Sequence, residues 1–211
     1  MADWQTVSAL ATAAGTLVLA GATFSAVRSS NRSARIAEKA LLTGLRPLLV
    51  QSLGGDPEHK VLWGDRHAAH LRGGRAIVEV TDEAIYLAIG VRNVGAGIAL
   101  LDGWLLTPER VTAADPHADP ADFRHLTIDL YVAPATSGYW EGAIREHGDP
   151  QRSALVATIE RREPFTIDLL YGDQDGGQRT ISRFTLVPTQ DDAVWIAQAA
   201  KHWNLDRPDP R

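Results

Sequence analysis

The chain has no cysteine, one methionine and only three lysines. Without cysteine there is no disulfide, no thiolate nucleophile and no Cys-type zinc site. Beyond residue 45 no run of basic residues occurs, and 24 acids face 17 bases. The phosphate neutralisation on which nucleic-acid binding rests is therefore missing, and nucleic acid is excluded as an expected partner. No internal repeat is visible. The most informative absence is charge: from Trp4 to Val27, twenty-four residues pass without one.

A helix of that length covers about 36 Å, against a hydrocarbon core of roughly 30 Å. Arg28, Arg32, Arg35 and Lys39 follow at once, whereas only Asp3 precedes the run. This is the outline of a single-pass anchor, with the lipid bilayer as its first partner. Flanking Lys and Arg stay cytoplasmic, which places the C-terminal domain in the cytoplasm at the cell membrane. A cleaved signal peptide would carry its positive charge on the opposite side of the apolar run, and a small-x-small cleavage site is poorly specified here. Within the span, Leu10, Leu17 and Phe24 stack along one stripe at the helical period. Ser8, Ala11, Gly15, Ala22 and Ser25 line nearly the opposite one. Small residues allow close approach of a second helix, so self-association or docking to another membrane protein is expected there. The helical pattern continues from Ser29 to Leu45 as a stalk and stops at Gly44 and Pro47.

The remaining residues read as β. Alternation of period two marks Ala84–Val94, His125–Ala133 and Pro164–Gly172 as strands buried on one face. Further strands are expected at Pro47–Ser52, Arg75–Val80, Ile98–Thr107, Gly138–Gly142 and Arg179–Val187, with Asp192–Asn204 closing the sheet. Asn93–Gly97 and Asp173–Gly177 are read as hairpin turns. One helix is expected, capped by Asp149, opened by Pro150 and ended before Pro164. The fold class is mainly β. An N-terminal transmembrane helix and stalk (1–45) precede an immunoglobulin-like two-sheet sandwich with one short helix (46–206), and an extended tail (207–211) ends the chain.

Several segments carry a resemblance. They are Arg46-Pro47-Leu48, Arg92-Asn93-Val94-Gly95-Ala96-Gly97, Tyr171-Gly172-Asp173, Gly176-Gly177-Gln178-Arg179 and the closing His202-Trp203-Asn204-Leu205-Asp206-Arg207-Pro208. With the uncharged N-terminal helix, they resemble a group of uncharacterised actinobacterial membrane-anchored proteins. The resemblance implies no activity and assigns no residue a role.

Individual motifs are read against their chemistry. Gly95-Ala96-Gly97 follows a strand, but the third glycine and the helix of a dinucleotide loop are missing. Asp173–Gly177 has Gly176 and Phe184 where a calcium loop needs other spacing. Asp115, Asp119, Asp122 and His117 form an acidic loop, and Asp65, His67 and His70 lie close in sequence; both sets read as solvated loops. Ser182, Asp168 and His202 are the residue types of a hydrolase triad, but no spacing places them in reach. Trp104, Trp140, Trp195 and Trp203 read as packing residues. No catalytic, cofactor or metal residue is assigned. The expectation is a non-enzymatic membrane-anchored adaptor that self-associates through its small-residue stripe. The alternative is a tethered ligand- or cation-sensing sandwich, and an uncharacterised enzyme comes third.

Overall fold

A single helix, α1 (Trp4–Gly44), runs for 41 residues, about 60 Å at the standard rise. The computed structural model describes residues 3–191 and 194–207, so most of the tail expected at 207–211 lies outside the described residues. The chain divides into two compact units, Met1–Gly44 and Leu45–Arg211. In the first, one stretch, Val7–Leu41, is long and apolar enough to cross a membrane by length and composition. Leu10, Leu17 and Phe24 are 66 %, 74 % and 69 % exposed. Thr12 and Thr16 donate their hydroxyls to the carbonyls one turn back, Ser8 O and Thr12 O, both at 2.9 Å. Such back-bonding satisfies a hydroxyl without water.

The second unit is mainly β, built as two antiparallel layers. One layer holds β1 (Leu49–Gln51), β4 (Ala76–Val80), β5 (Ile85–Asn93) and β8 (Ser137–Ile144). There β8 runs along one edge of β5, while β4 and β1 share the other edge. The second layer has the order β7-β6-β9-β10-β11, comprising β6 (Ala99–Thr107), β7 (Arg124–Val132), β9 (Phe165–Gly172), β10 (Thr180–Pro188) and β11 (Trp195–Asn204). A single pairing, Trp195 opposite Ala76, joins β11 to β4. At the other side β7 and β8 do not pair, so the sheet stays unclosed. A separate hairpin, β2 (His59–Leu62) with β3 (Ala68–Leu71), completes the strands. Residues 65–70, read from sequence as a loop, thus form its turn and part of β3. The helix α2 (Pro150–Glu160) begins as expected, with the Asp149 carboxylate accepting from Gln151 N–H.

The central core lies between the layers and includes Leu87, Ile89, Trp140, Phe165, Ile167, Phe184 and Leu155 of α2. Each such side chain contributes on the order of 1.5–3 kcal/mol. Two smaller clusters cover the outer faces. Val61, Trp63 and Leu71 of the β2–β3 hairpin pack on Ile77, Tyr86 and Ala88. Phe123 packs on Leu170, Ile181 and Trp203. Every residue of β9 is consequently buried. Thr166, Asp168 and Leu170, which alternation assigns to a solvated face, are covered because the 108–123 segment lies over them.

Asn93–Gly97 is not a hairpin. It carries the chain from β5 in one layer to β6 in the other, strands that do not pair. Asn93 is fully buried. Its Oδ1 accepts from Leu48 N–H (3.1 Å) and Gly95 N–H (3.0 Å), and its Nδ2 donates to Gly97 O (2.7 Å) and Val132 O (3.0 Å). The two glycines are needed for close approach. A Cβ on Gly95 would strike Arg46 O, and one on Gly97 would strike Leu45 O. By contrast, Asp173–Gly177 is the hairpin expected, pairing β9 with β10 and placing Gly176 at φ +71°. Replacing Asn93 by Ala orphans two buried donors and two acceptors. It should cost about 3 kcal/mol or more, read as a lower urea midpoint by tryptophan fluorescence.

Candidate functional site

Among the described residues, β7 and β8 are neighbouring strands whose facing edges do not pair, and they leave a seam between the layers. The strands meet at the 133–136 corner, where Asn93 N–H donates to Thr136 O (3.0 Å) and Ala135 N–H to Asn93 O (2.9 Å). From there they diverge, because each ladder pulls toward its own layer. The divergence is increased by irregular register in β7. Leu101 opposes Leu130 and Gly103 opposes His125, so Leu126–Asp129 bulge away from β6. Bulges of this kind re-aim side chains beside functional sites. The result is a cleft of about 470 Å³, lined among others by Trp63, Asp65, Trp104, Arg124, Glu141 and Arg145.

Its walls are built from the strands upward. Trp104 of β6 and Trp140 of β8 meet edge to face at 5.2 Å. Gly142 is required there, since a Cβ would sit 2.6 Å from the Trp140 ring. The carbonyls of β8 are capped by side chains: Trp63 Nε1–H donates to Gly142 O (3.1 Å) and Arg152 to Ile144 O (3.0 Å). Arg124 lies 5.3 Å over the Trp104 ring and is held by Asp149 (2.7 Å) and Gln151 (2.8 Å). This contact, led by the Arg124 hydrogen bond, keeps the Asp149 carboxyl below its ordinary pKa.

Two carboxyl groups at the cleft differ in character. Asp65 accepts from His67 N–H (3.1 Å), Tyr86 Oη–H (2.9 Å) and Arg145 Nε–H (2.9 Å). Burial opposes its charge, but these donors outweigh burial and hold the group below the usual carboxylate range. Glu141 is the reverse case. Burial pushes its pKa up, the Asp65 charge adds to the rise, and Arg145 offsets part of it. Its Oε2 is buried without a hydrogen-bond partner, as is the Trp140 indole nitrogen. The cleft therefore presents one carboxylate fixed as an anion and one carboxyl with unused hydrogen-bonding capacity. Such a pair can hold a polar ligand group. Sequence reading passed over Glu141, whose only local signal is its place between Trp140 and Gly142.

Of the residues singled out from sequence, Asp65 and Trp104 line this cleft, and most of the others fall elsewhere. Ser182 and His202 are in reach after all: they pair across β10 and β11, with Oγ 2.6 Å from Nδ1. Ser182 also bonds Tyr171 Oη (2.8 Å), which in turn accepts from Leu49 N–H (3.0 Å). Burial raises the Tyr171 pKa to about 12 despite these bonds. Ser182 is fully buried, so the arrangement ties β1 to β9, β10 and β11 instead of presenting a nucleophile. Asp168 is not part of it. It forms a bidentate pair with Arg183 at 2.9–3.0 Å, and Arg183 also donates to Thr112 O, Asp115 O and Pro116 O. That pair secures the acidic loop. Asp115 accepts from Thr112, Asp119 caps a short 3₁₀ turn at Pro120–Asp122, and His117 packs on Trp203 at 5.8 Å. His67 bonds Glu79 (2.8 Å) and stacks on Tyr86 (3.8 Å), while His70 lies near Glu58. Among the described residues, no group of three or more His, Asp and Glu side chains converges as metal ligands. On α1, Ser8, Ala11, Gly15, Ala22 and Ser25 are exposed, as are Arg28, Arg32, Arg35 and Lys39. A Cβ at Gly15 would meet nothing, so its own chain does not require that glycine.

No family model matches the chain, and no curated protein matches it. A solved structure described as a protein from Archaeoglobus fulgidus is similar at 15 % identity, covering 62 % of this chain and 93 % of that one, with a TM-score of 0.25. At that score the likeness carries no argument about fold or function.

The Glu141 environment makes a pH-dependent prediction. A carboxyl whose folded pKa is raised favours folding below its unfolded pKa, and that contribution is lost as pH rises through the folded value. Glu141→Gln should therefore raise Tm at pH 7.5 and leave it nearly unchanged at pH 4, as read by calorimetry.

Proposed function

We propose that the protein is a single-pass membrane-anchored interaction module, with α1 in the bilayer and the β domain on the cytoplasmic side of the cell membrane. The observation that carries this is α1 itself, an unbroken helix holding an apolar stretch, Val7–Leu41, long enough to span a bilayer and with its large apolar side chains exposed. An exposed apolar helix in water is unfavourable, whereas lipid accepts it with every backbone group bonded internally. The basic residues after Val27 support the orientation. The small-residue stripe from Ser8 to Ser25 supports association with a second copy. The likeness to uncharacterised actinobacterial anchored proteins belongs to the same reading, as does the immunoglobulin-like description of the sandwich. The burial of Ser182 and the engagement of Asp168 favour a binding role over catalysis.

A second reading, a tethered ligand sensor, is favoured by the unpartnered Glu141 oxygen in the β7–β8 cleft. Saturating ligand that binds only the folded state would raise Tm, and Glu141→Gln should reduce that rise.

Carbonate-washed membranes should retain the full chain, and protease added outside whole cells should leave the domain intact. Release by carbonate, or digestion from outside, overturns the anchor or its orientation. Because the chain lacks cysteine, Ala22→Cys gives a clean probe of the stripe. Oxidation in membranes should yield a dimer that Gly15→Leu diminishes, whereas monomer in both overturns association.

A further inference from the structure

We infer that Arg28, Arg32 and Arg35 form a binding site for the phosphate of an anionic phospholipid at the membrane boundary of α1. The inference rests on the membrane reading above and adds the ligand's chemistry.

The structural observation is continuity. Because α1 does not break between its uncharged run and its basic part, the helical phase is preserved across Val27 and Arg28. At about 100° per residue, Arg28, Arg32, Arg35 and Lys39 fall within a stripe roughly 60° wide. Glu38, the one acid of the segment, projects about a quarter-turn away from that stripe. A shallow groove along the same face is lined by Phe24, Ser25, Arg28, Asn31, Arg32 and Arg35. An apolar ring one turn toward the span, beneath three guanidinium groups and a side-chain amide, matches a lipid whose acyl chain lies beside Phe24 and whose phosphate sits among the arginines. Guanidinium forks bind phosphate oxygens in pairs.

Length decides how many cations take part. Headgroup and interfacial layers add roughly 5–8 Å on each side of the hydrocarbon core. Arg28 to Arg35 spans about 10 Å of helix, which flexible arginine stems can fold back to cover. Lys39 lies about 16 Å beyond Arg28, more than a Debye length past the headgroups at physiological salt. The site therefore comprises the three arginines and excludes Lys39, although all four share one face. A docking surface for an acidic protein along the stalk would use all four.

The test is native mass spectrometry of the full chain released from nanodiscs of equimolar phosphatidylcholine and phosphatidylglycerol. The wild-type chain should retain phosphatidylglycerol preferentially. Each of Arg28→Gln, Arg32→Gln and Arg35→Gln should lower that preference about five-fold, and Lys39→Gln should leave it unchanged. Equal retention of the two lipids by wild type, or no change in the triple variant, overturns the site. An equal loss with Lys39→Gln also overturns it and favours a stalk-wide anionic partner. A chain that enters no nanodisc overturns both this inference and the anchor, whereas incorporation without lipid preference overturns this inference alone.

Discussion

The four hydrogen bonds of the buried Asn93 amide are the interaction on which the β domain's shape depends. One side chain joins the segment entering the domain at Leu48, the inter-layer crossover at Gly95 and Gly97, and the end of β7 at Val132. Its backbone adds the 133–136 corner. Three passages of chain are thereby fixed at one point, beside the β1–β5 and β6–β7 ladders that begin at Leu49–Asn93 and Ala99–Val132. The layers are pinned at this corner, and β7 and β8 run on from it without pairing.

Elsewhere the fold follows one rule, that polar groups taken from water must find partners. Arg183 enters a buried position with Asp168 and bonds three loop carbonyls. Ser182, Tyr171 and His202 share a chain of bonds that ends on the amide of Leu49. The seam is one place where the rule is incompletely met, as it also is at Arg46 Nε. Glu141 Oε2 and the Trp140 indole nitrogen are buried without partners, while Asp65 a short way off is bonded three times over. Of the seam's exceptions, Glu141 stands out because it lines a cleft.

The two units obey the same physics in different solvents. In the β domain, apolar faces find one another across and outside the layers. In α1, large apolar side chains such as Leu10, Leu17 and Phe24 are exposed, and the Thr12 and Thr16 hydroxyls bond back onto the helix itself. That contrast underlies the reading of a tethered module and of a lipid site where the apolar and basic stretches meet.

What the sequence determined by itself was local. The charge-free run, the alternation in β5, β7 and β9, the Asp149–Pro150 helix start and the Asp173–Gly177 hairpin all depend on neighbours within a few residues. Such periodicities survive without knowledge of the fold. Tertiary structure decided whatever depends on partners distant in sequence. The Asn93–Gly97 segment has the composition of a turn, yet β5 and β6 pair elsewhere and its glycines serve the passage of Leu45 and Arg46. Asp168 alternates like a surface residue but is covered by a loop some fifty residues earlier in the chain. Ser182 and His202 meet only through strand register, and Glu141 acquires its unusual environment chiefly from burial in the packed domain, with the Asp65 charge adding to it. Period and composition encode which way a side chain points, while what stands opposite it is set by packing.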